Sequence, residues 1–136
     1  MAREYWLKAL GTSAPGDQMP DDWRITVLTR AATFSRRPSV KAGDGIVYYA
    51  TGWGLVFAAG EVTSYPYLSK ADAPTEEGYP WWVNVRLDWS RRFIHDGVPL
   101  DRLNVEGRDL RRSIRQHGHI RLREKEYEAA VNALNA

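Results

Sequence analysis

Two apolar runs joined by a glycine-flanked turn constrain the fold of this 136-residue chain more than any other feature. The runs extend from Ile46 to Thr51 and from Leu55 to Ser64, and both are rich in Val, Ile, Tyr and Phe. β-Branched and aromatic residues favour strands, and a short turn containing glycine joins antiparallel strands. The sequence therefore predicts a β-hairpin with Trp53 at its turn. Trp53 either folds back onto the core or stacks on a flat ligand.

Further strands are predicted on both sides of the hairpin. Glu4 to Leu10 and His119 to Leu122 are short apolar-rich candidates. Trp81 to Trp89 alternates with the period of two that a strand requires. Its predicted core face holds Trp81, Val83, Val85, Leu87 and Trp89, and its polar face holds Trp82, Asn84, Arg86 and Asp88. Gly60, inside the second hairpin strand, indicates a bulge or a close backbone approach.

Helical segments are predicted at three places. Asp21 or Asp22 is a helix N-cap candidate before Trp23, and Val27 and Arg30 continue the helical spacing, although the alternation in RITVLT also suits a strand. A second helix is predicted from Gly107 to Arg115. A closing helix is predicted from Glu124 to Leu134, with one apolar stripe consisting of Tyr127, Val131 and Leu134.

The remaining segments are predicted to be connections. Ala31 to Ala42 is basic and polar and ends in a turn signature. Tyr65 to Pro80 contains three prolines and is predicted to be a long loop. Arg91 to Val105 is irregular, with a short helical turn at PLDRL. Together the elements predict one α+β domain over residues 1–136, with a strongly bent, barrel-like mixed sheet and a few short peripheral helices.

Composition narrows the function classes. The chain has no cysteine, which excludes disulfides and thiolate metal sites and favours a cytoplasmic protein. No apolar run has the length of a membrane span, so no membrane partner is expected. Residues 1–85 contain eight Lys or Arg and nine Asp or Glu, whereas residues 86–123 contain ten Arg and five acids. Arginine's planar fork suits phosphate recognition, and the alternative is a solvated basic face.

Metal and catalytic motifs are weak by comparison. His117 and His119 form a His-x-His pair, but nothing in the sequence fixes a third ligand, so no metal or other cofactor is expected. Glu61 lies within a strand and is either a desolvated acid or base or the partner of an arginine. No nucleophile elbow, phosphate-binding glycine loop or other catalytic set is present in the sequence.

Aromatic residues near arginines are the stronger functional signal. Aromatic residues make up 12% of the chain, with six Trp, and several lie at element ends or on a polar strand face. Flat rings stack on unpaired or extruded bases, and arginine neutralises the phosphate backbone. The alternative is that these rings cover the two ends of a small barrel.

The order of motifs resembles the EVE domain of the PUA-like superfamily, over nearly the whole chain. The motifs that carry the resemblance are YWL (Tyr5 to Leu7), the Trp-led segment at Trp23, GDGIVYYATG, FAAGEVTSYPY, WWVNVRL, the PL-x-x-L segment and RQHGHIRLREKEYEAAVNAL. The resemblance implies a bent PUA-like barrel related to the YTH and SRA-like readers of modified bases. The loop KALGTSAPG departs from the usual Lys-Ser-x-Pro type of this family.

By position, the resemblance implies a base pocket between the end of the first strand, the Trp23 helix, the hairpin from Tyr48 to Trp53 and residues 115–119. The residues implied for stacking are Trp23, Tyr49, Trp53 and Trp82. The residues implied for hydrogen bonds to a base edge are Lys8, Asn84, Gln116 and His117, with Arg115 and Arg121 on phosphates.

Three functions remain open from the sequence. The first is a non-enzymatic module that binds DNA or RNA and holds one modified or extruded base. The second is a sensor or enzyme for a small planar metabolite such as a free nucleobase. The third is a protein-interaction domain with an aromatic interface. The sequence leaves the oligomeric state open.

Overall fold

The computed structural model describes residues 3–11, 19–25, 30–68, 80–103, 109–110, 112, 114 and 118–136. Its main element is a mixed β-sheet with one long helix at the C-terminal end. The strands are β1 (Tyr5–Leu10), β2 (Ala31–Phe34), β3 (Gly45–Ala50), β4 (Leu55–Val62), β5 (Tyr67–Leu68), β6 (Trp81–Ser90), β7 (Val98–Pro99) and β8 (His119–Leu122). Short 3-10 helices span Trp23–Ile25, Ile94–Asp96 and Leu100–Leu103, and the C-terminal helix spans Glu124–Asn135.

The strand order is β2-β6-β4-β3-β1-β8, with β5 paired to β6 and β7 paired to β4. β1 and β3 are parallel, and the other pairs are antiparallel. The sheet curls into a half-barrel, and this curl brings side chains of the two end strands, β2 and β8, into contact with each other. The predicted α+β, barrel-like class is therefore confirmed at the level of a curled mixed sheet with one long helix.

The predicted hairpin is confirmed as β3 and β4, with a turn at residues 51–54. The prediction for Gly60 is also confirmed, because the register between β4 and β6 shifts between Ala59 and Gly60. A Cβ atom on Gly60 would lie 1.9 Å from the carbonyl oxygen of Arg86, so only glycine fits there.

Because of this bulge, the predicted face of one β6 residue, Trp89, is wrong. Ala59 pairs with Trp89 and Gly60 with Leu87, so Asp88 is the extra residue. One extra residue in a strand reverses the faces of the sheet onto which the side chains after it project. Trp89 therefore packs on the opposite side of the sheet from Leu87, not beside it as the alternation predicted.

Three other predictions are wrong in part. Ala31–Phe34 is a strand that pairs with β6, not a connection, because cross-strand pairing stabilises a segment with little strand signal of its own. Trp23 lies in a 3-10 helix of three residues, and residues 26–29 of the predicted helix lie outside the described residues. Tyr67–Leu68 adds a short strand to the predicted loop, whose residues 69–79 also lie outside the described part.

Two apolar clusters cover the two faces of the sheet. The inner cluster, on the concave face, contains the buried aromatic residues Trp6, Trp23, Phe34, Tyr48 and Phe57. The outer cluster packs beneath the C-terminal helix and the 3-10 helix at Leu100–Leu103. From the C-terminal helix, Tyr127 and Leu134 are buried in it and Val131 is partly buried, which confirms the predicted stripe.

Most of the remaining elements agree with their predictions, but the segment predicted to be irregular contains the 3-10 helix Ile94–Asp96 and the strand β7. β1 and β8 have the predicted positions, and the PLDRL turn is the 3-10 helix at Leu100–Leu103. Leu110, Arg112 and Ile114 are helical, as predicted for residues 107–115, whereas Asp109 is not helical and accepts a hydrogen bond of 3.0 Å from the Arg112 backbone N–H. The other residues of the predicted helix lie outside the described ones.

Candidate functional site

The concave face brings together aromatic side chains from strands that are distant in the sheet. Phe34 comes from β2, whereas Trp6 and His119 come from the neighbouring strands β1 and β8. The His119 ring meets the Phe34 ring edge to face at 4.9 Å between centroids and lies 5.9 Å from the Trp6 ring. We call this group, with Lys8 and Tyr48, the concave site.

The register of three strands places the polar members of the concave site in one row. Lys8 is the cross-strand partner of His119 on β8 and of Tyr48 on β3. Neighbouring residues in register project to the same face of a sheet. His119, Lys8 and Tyr48 therefore lie side by side on the concave face.

Lys8 lies among rings despite its charge. Only 7% of the residue is exposed, and its Nζ atom lies 4.8 Å from the centroid of the Phe34 ring. Lysine is seldom buried unless it has partners, and a ring face is a favourable neighbour for an ammonium group. The arrangement places a donor-rich cation beside a buried aromatic ring.

Tyr48 supplies a second polar group at the same depth. Its hydroxyl is buried and has no hydrogen-bond partner within the described residues. Burial raises the pKa of Tyr48 above its ordinary value, so the hydroxyl stays protonated. A buried hydroxyl without a partner loses its hydration, and a ligand atom that hydrogen-bonds to it would restore that lost interaction.

The buried carboxylate of Asp44 fixes the orientation of Trp6. Asp44 accepts a hydrogen bond of 2.9 Å from the Trp6 indole N–H and one of 3.2 Å from the Glu4 backbone N–H. The Lys41 ammonium and backbone N–H donate to the same carboxylate, at 3.2 and 3.1 Å. These bonds hold the indole by its edge, so the ring is fixed in the surface of the concave site.

Two arginines lie on rings at the rim of the concave site. The guanidinium of Arg121 lies 5.4 Å from the Trp6 ring centroid, and that of Arg37 lies 5.6 Å from the Trp81 ring centroid. Arg121 also forms an ion pair of 3.3 Å with Glu4. Both guanidinium groups remain accessible to solvent, because Arg121 and Arg37 are exposed residues.

The predicted stacking residues Trp23 and Trp53 both belong to the concave side, but they serve its packing. Trp23 is fully buried, and its indole N–H donates to the Arg91 carbonyl at 2.7 Å. Trp53 folds back onto the inner cluster, and its indole N–H donates to the Met19 carbonyl at 2.8 Å. The structure thus favours the core alternative for the tryptophan in the hairpin turn.

The other described members of the predicted pocket lie elsewhere. Tyr49 projects from β3 into the outer cluster, because it follows Tyr48 by one residue. Trp82 and Asn84 lie on the outward face of β6, where the Tyr67 hydroxyl donates to the Asn84 side-chain oxygen at 2.6 Å. The structure does not bring these three residues together with Lys8 and Arg121.

Arg115, Gln116 and His117 lie outside the described residues, so their predicted roles remain predictions. Within the described ranges, no three His, Asp or Glu side chains are grouped as metal ligands would be. Glu61 forms ion pairs with Arg3 and Arg86 on the outer side, at 3.9 and 3.8 Å. Of the two roles predicted for Glu61, the structure therefore favours that of partner to an arginine.

Sequence reasoning missed Trp6, Phe34, Tyr48 and His119 as members of one site. The alternation of Trp6 and Lys8 along β1 is a signal that they share a face. No sequence signal places Phe34 opposite them, because that contact depends on the curl of the whole sheet.

Comparisons with known proteins show the fold alone. No protein-family model matches the chain, and no curated protein matches it. A hypothetical protein from Leishmania major has a TM-score of 0.60 and 15% identity, with 98% of this chain and 96% of that chain covered. A Rhodopseudomonas palustris protein solved by NMR has a TM-score of 0.57 and 14% identity, with 97% and 93% covered. An Agrobacterium tumefaciens protein has a TM-score of 0.53 and 16% identity, with 96% and 92% covered.

None of the helices in the described residues has both the length and the apolar character needed to cross a membrane.

Proposed function

We propose that this protein is a non-enzymatic nucleic-acid-binding module that holds one extruded or modified base at the concave site. The observation that carries the proposal is the row of His119, Lys8 and Tyr48, in which His119 and Lys8 both contact the Phe34 ring. Polar groups placed among aromatic rings suit a ligand that is flat and has a polar edge.

The rings of Trp6 and Phe34, which are only 6% and 2% exposed, would supply the stacking energy once the two ends of the sheet separate to admit a base. A base stacked on an aromatic side chain gains about 1–3 kcal/mol, and extruding a base from a duplex costs a few kcal/mol. Contacts with both Trp6 and Phe34 would therefore offset the cost of extrusion. An unpaired or weakly paired base costs less to extrude and is the preferred target.

The polar groups define the edge that is read. Lys8 has only donors, whereas the Tyr48 hydroxyl both donates and accepts. The proposed ligand therefore presents a carbonyl oxygen or an unprotonated ring nitrogen to Lys8. All five standard bases have at least one such acceptor.

Arg121 and Arg37 favour nucleic acid over a free base. Both are exposed cations at the rim, where the phosphates next to a bound base would pass. Arginine binds phosphate with two parallel hydrogen bonds. The curled mixed sheet agrees with the PUA-like architecture that the EVE resemblance implies, and membership in that superfamily is part of the proposal.

A sensor for a free nucleobase is the second candidate. One observation favours it: the Arg121 guanidinium already has Glu4 as a partner, at 3.3 Å. In that case Lys8 and Tyr48 would hold a small neutral ligand without contributions from the rim.

Oligonucleotide titration followed by Trp fluorescence tests the proposal. Single strands and duplexes, with and without modified cytosine or adenine, are titrated at two salt concentrations. Nucleic-acid binding predicts affinity that falls steeply as salt rises, because released counterions contribute to binding. Binding of free bases alone, without dependence on salt, would favour the sensor. No fluorescence change with any oligonucleotide would contradict the proposal.

A further inference from the structure

A cleft lies on the convex side of the sheet, away from the concave site. Its volume is about 370 Å³, within the range of small-molecule sites. The sheet and the N-terminal segment contribute Arg3, Glu61, Arg86 and Trp89, and the C-terminal helix contributes Tyr127 and Glu128. We call it the convex cleft.

Charges of both signs are held in the convex cleft before any ligand arrives. The Arg3 guanidinium lies 5.3 and 5.4 Å from the ring centroids of Tyr5 and Tyr127. Asp88 fixes Arg86 through hydrogen bonds of 2.8 and 3.4 Å. Both cations therefore have defined positions at the cleft.

Glu61 lies between the two arginines without a hydrogen bond to either. Its two carboxylate oxygens are 3.9 Å from Arg3 and 3.8 Å from Arg86, too far for hydrogen bonds. The Glu61 carboxylate can therefore accept hydrogen bonds from a ligand, and the Arg3 and Arg86 guanidinium groups can donate them. An anion alone would be repelled by Glu61, Asp88 and Glu128, and a cation alone by Arg3 and Arg86.

We propose that the convex cleft binds a small zwitterion of the free α-amino acid class. The carboxylate of the ligand binds Arg3 and Arg86, and its ammonium group binds Glu61 and Glu128. Trp89, Tyr127 and Val131 form the apolar part of the lining. This wall selects an apolar side chain.

The test uses the full chain labelled with ¹⁵N and follows the Trp89 indole N–H resonance by NMR. L-leucine, L-methionine and L-phenylalanine are each titrated to about 10 mM, beside their N-acetyl and amide derivatives, which each keep one charge. At least one free amino acid should bind with a dissociation constant near 1 mM, with both of its derivatives about tenfold weaker or more. No shift with any of the three, or equal binding of a derivative, would overturn the proposal.

Two variants assign the binding to the cleft. Glu61→Gln and Arg86→Gln should each weaken amino-acid binding about tenfold, since each removes one charged hydrogen-bonding partner. Arg102→Gln removes one exposed positive charge outside the cleft and should leave binding unchanged. Circular dichroism melting of every variant separates lost binding from lost folding. Unchanged affinity in both cleft variants, with folding intact, would contradict the assignment.

Discussion

The rings of Phe34 and His119 meet edge to face at 4.9 Å, although the two residues belong to strands at opposite ends of the sheet. The half-barrel is thus bridged at this point by side chains, where no strand pairing joins β2 to β8 among the described residues. A contact between side chains opens more readily than a strand ladder. Both rings belong to the concave site, so separating them would open it.

Replacing the Phe34 ring should weaken nucleic-acid binding. Phe34→Leu keeps an apolar side chain but removes the stacking surface, so affinity should fall about tenfold, as for the loss of one stacked base contact. Fluorescence titration at fixed salt measures it. Phe93→Leu, in which the replaced ring lies outside the inner cluster, is the matched control. Equal affinities of the two variants would show that Phe34 does not contact the base.

Removing the charge of Lys8 should lower affinity at every salt concentration. Lys8→Met keeps the length of the side chain but cannot donate to a base edge, and a lost charged hydrogen bond reduces affinity by about tenfold or more. The slope of log affinity against log salt should not change, because Lys8 contacts the base and not phosphate. Arg121→Gln removes a proposed phosphate contact, so it should reduce the steepness of that slope by about one. Arg102→Gln should leave the slope unchanged.

Asp44→Ala should destabilise the fold strongly. The substitution leaves the Lys41 ammonium and the Trp6 indole N–H without their shared acceptor. Each buried donor left without its acceptor costs about 1–3 kcal/mol of the free energy of unfolding, and Asp44 accepts from four donors. Urea denaturation measures the loss. Lys41→Met should cost less, because Asp44 keeps its hydrogen bonds from the Trp6 indole and from the Glu4 and Lys41 backbone N–H groups. A cost as large as that of Asp44→Ala would contradict this ranking.

Gly60→Ala should destabilise the fold through a backbone clash. The added Cβ atom meets the Arg86 carbonyl oxygen at 1.9 Å, and a paired strand cannot move aside without losing hydrogen bonds. A loss of about 3 kcal/mol or more is expected. Gly43→Ala is the control. That position has a φ of 95° but nothing within 4 Å, so only about 1–2 kcal/mol of conformational strain is expected. Equal losses in urea denaturation would contradict the role of the bulge.

His95 should make stability dependent on pH. The hydrogen bond between Asp21 and the His95 ring, at 2.5 Å, raises the pKa of His95. Desolvation opposes the change at Asp21, but hydrogen bonds from the His95 backbone N–H and ring lower the pKa of Asp21 overall. The contribution of His95 is therefore complete below its unfolded pKa and is lost as pH rises through its folded pKa. That of Asp21 is present above its unfolded pKa and is lost in acid.

The melting temperature of wild type minus that of His95→Gln should accordingly be larger at pH 5.5 than at pH 9. A pH titration of the His95 ring by NMR should give a pKa above 6.5. A difference in melting temperature that is independent of pH would show that the pair with Asp21 adds nothing through charge.

Strands with a strong local pattern were predictable from the sequence. β1, β3, β4, β6 and β8 carry enough apolar and β-branched residues to be located within one or two positions. β2 was not predictable, because AATF gains its strand conformation from pairing with β6. Trp89 was misplaced because one extra residue reverses the alternation of β6.

The candidate site was less predictable than the fold. Lys8 and Arg121 lie on the concave side, because they are in register with His119 and Trp6 on neighbouring strands, and their roles in binding stay predictions. Tyr49 was chosen where Tyr48 has the inward position, a difference of one residue that only the register decides. The membership of Phe34 in the site was not predictable, because it depends on the curl of the sheet that brings β2 close to β8.

The most direct test of the concave site compares two duplexes that differ in a single base. One carries a mismatched base at its centre, and the other carries an abasic sugar at the same position. Wild type should bind the mismatched duplex about tenfold more tightly than the abasic one, and Lys8→Met and Phe34→Leu should bind the two more nearly equally. Equal affinity of wild type for the two duplexes would contradict the claim that the concave site holds a base.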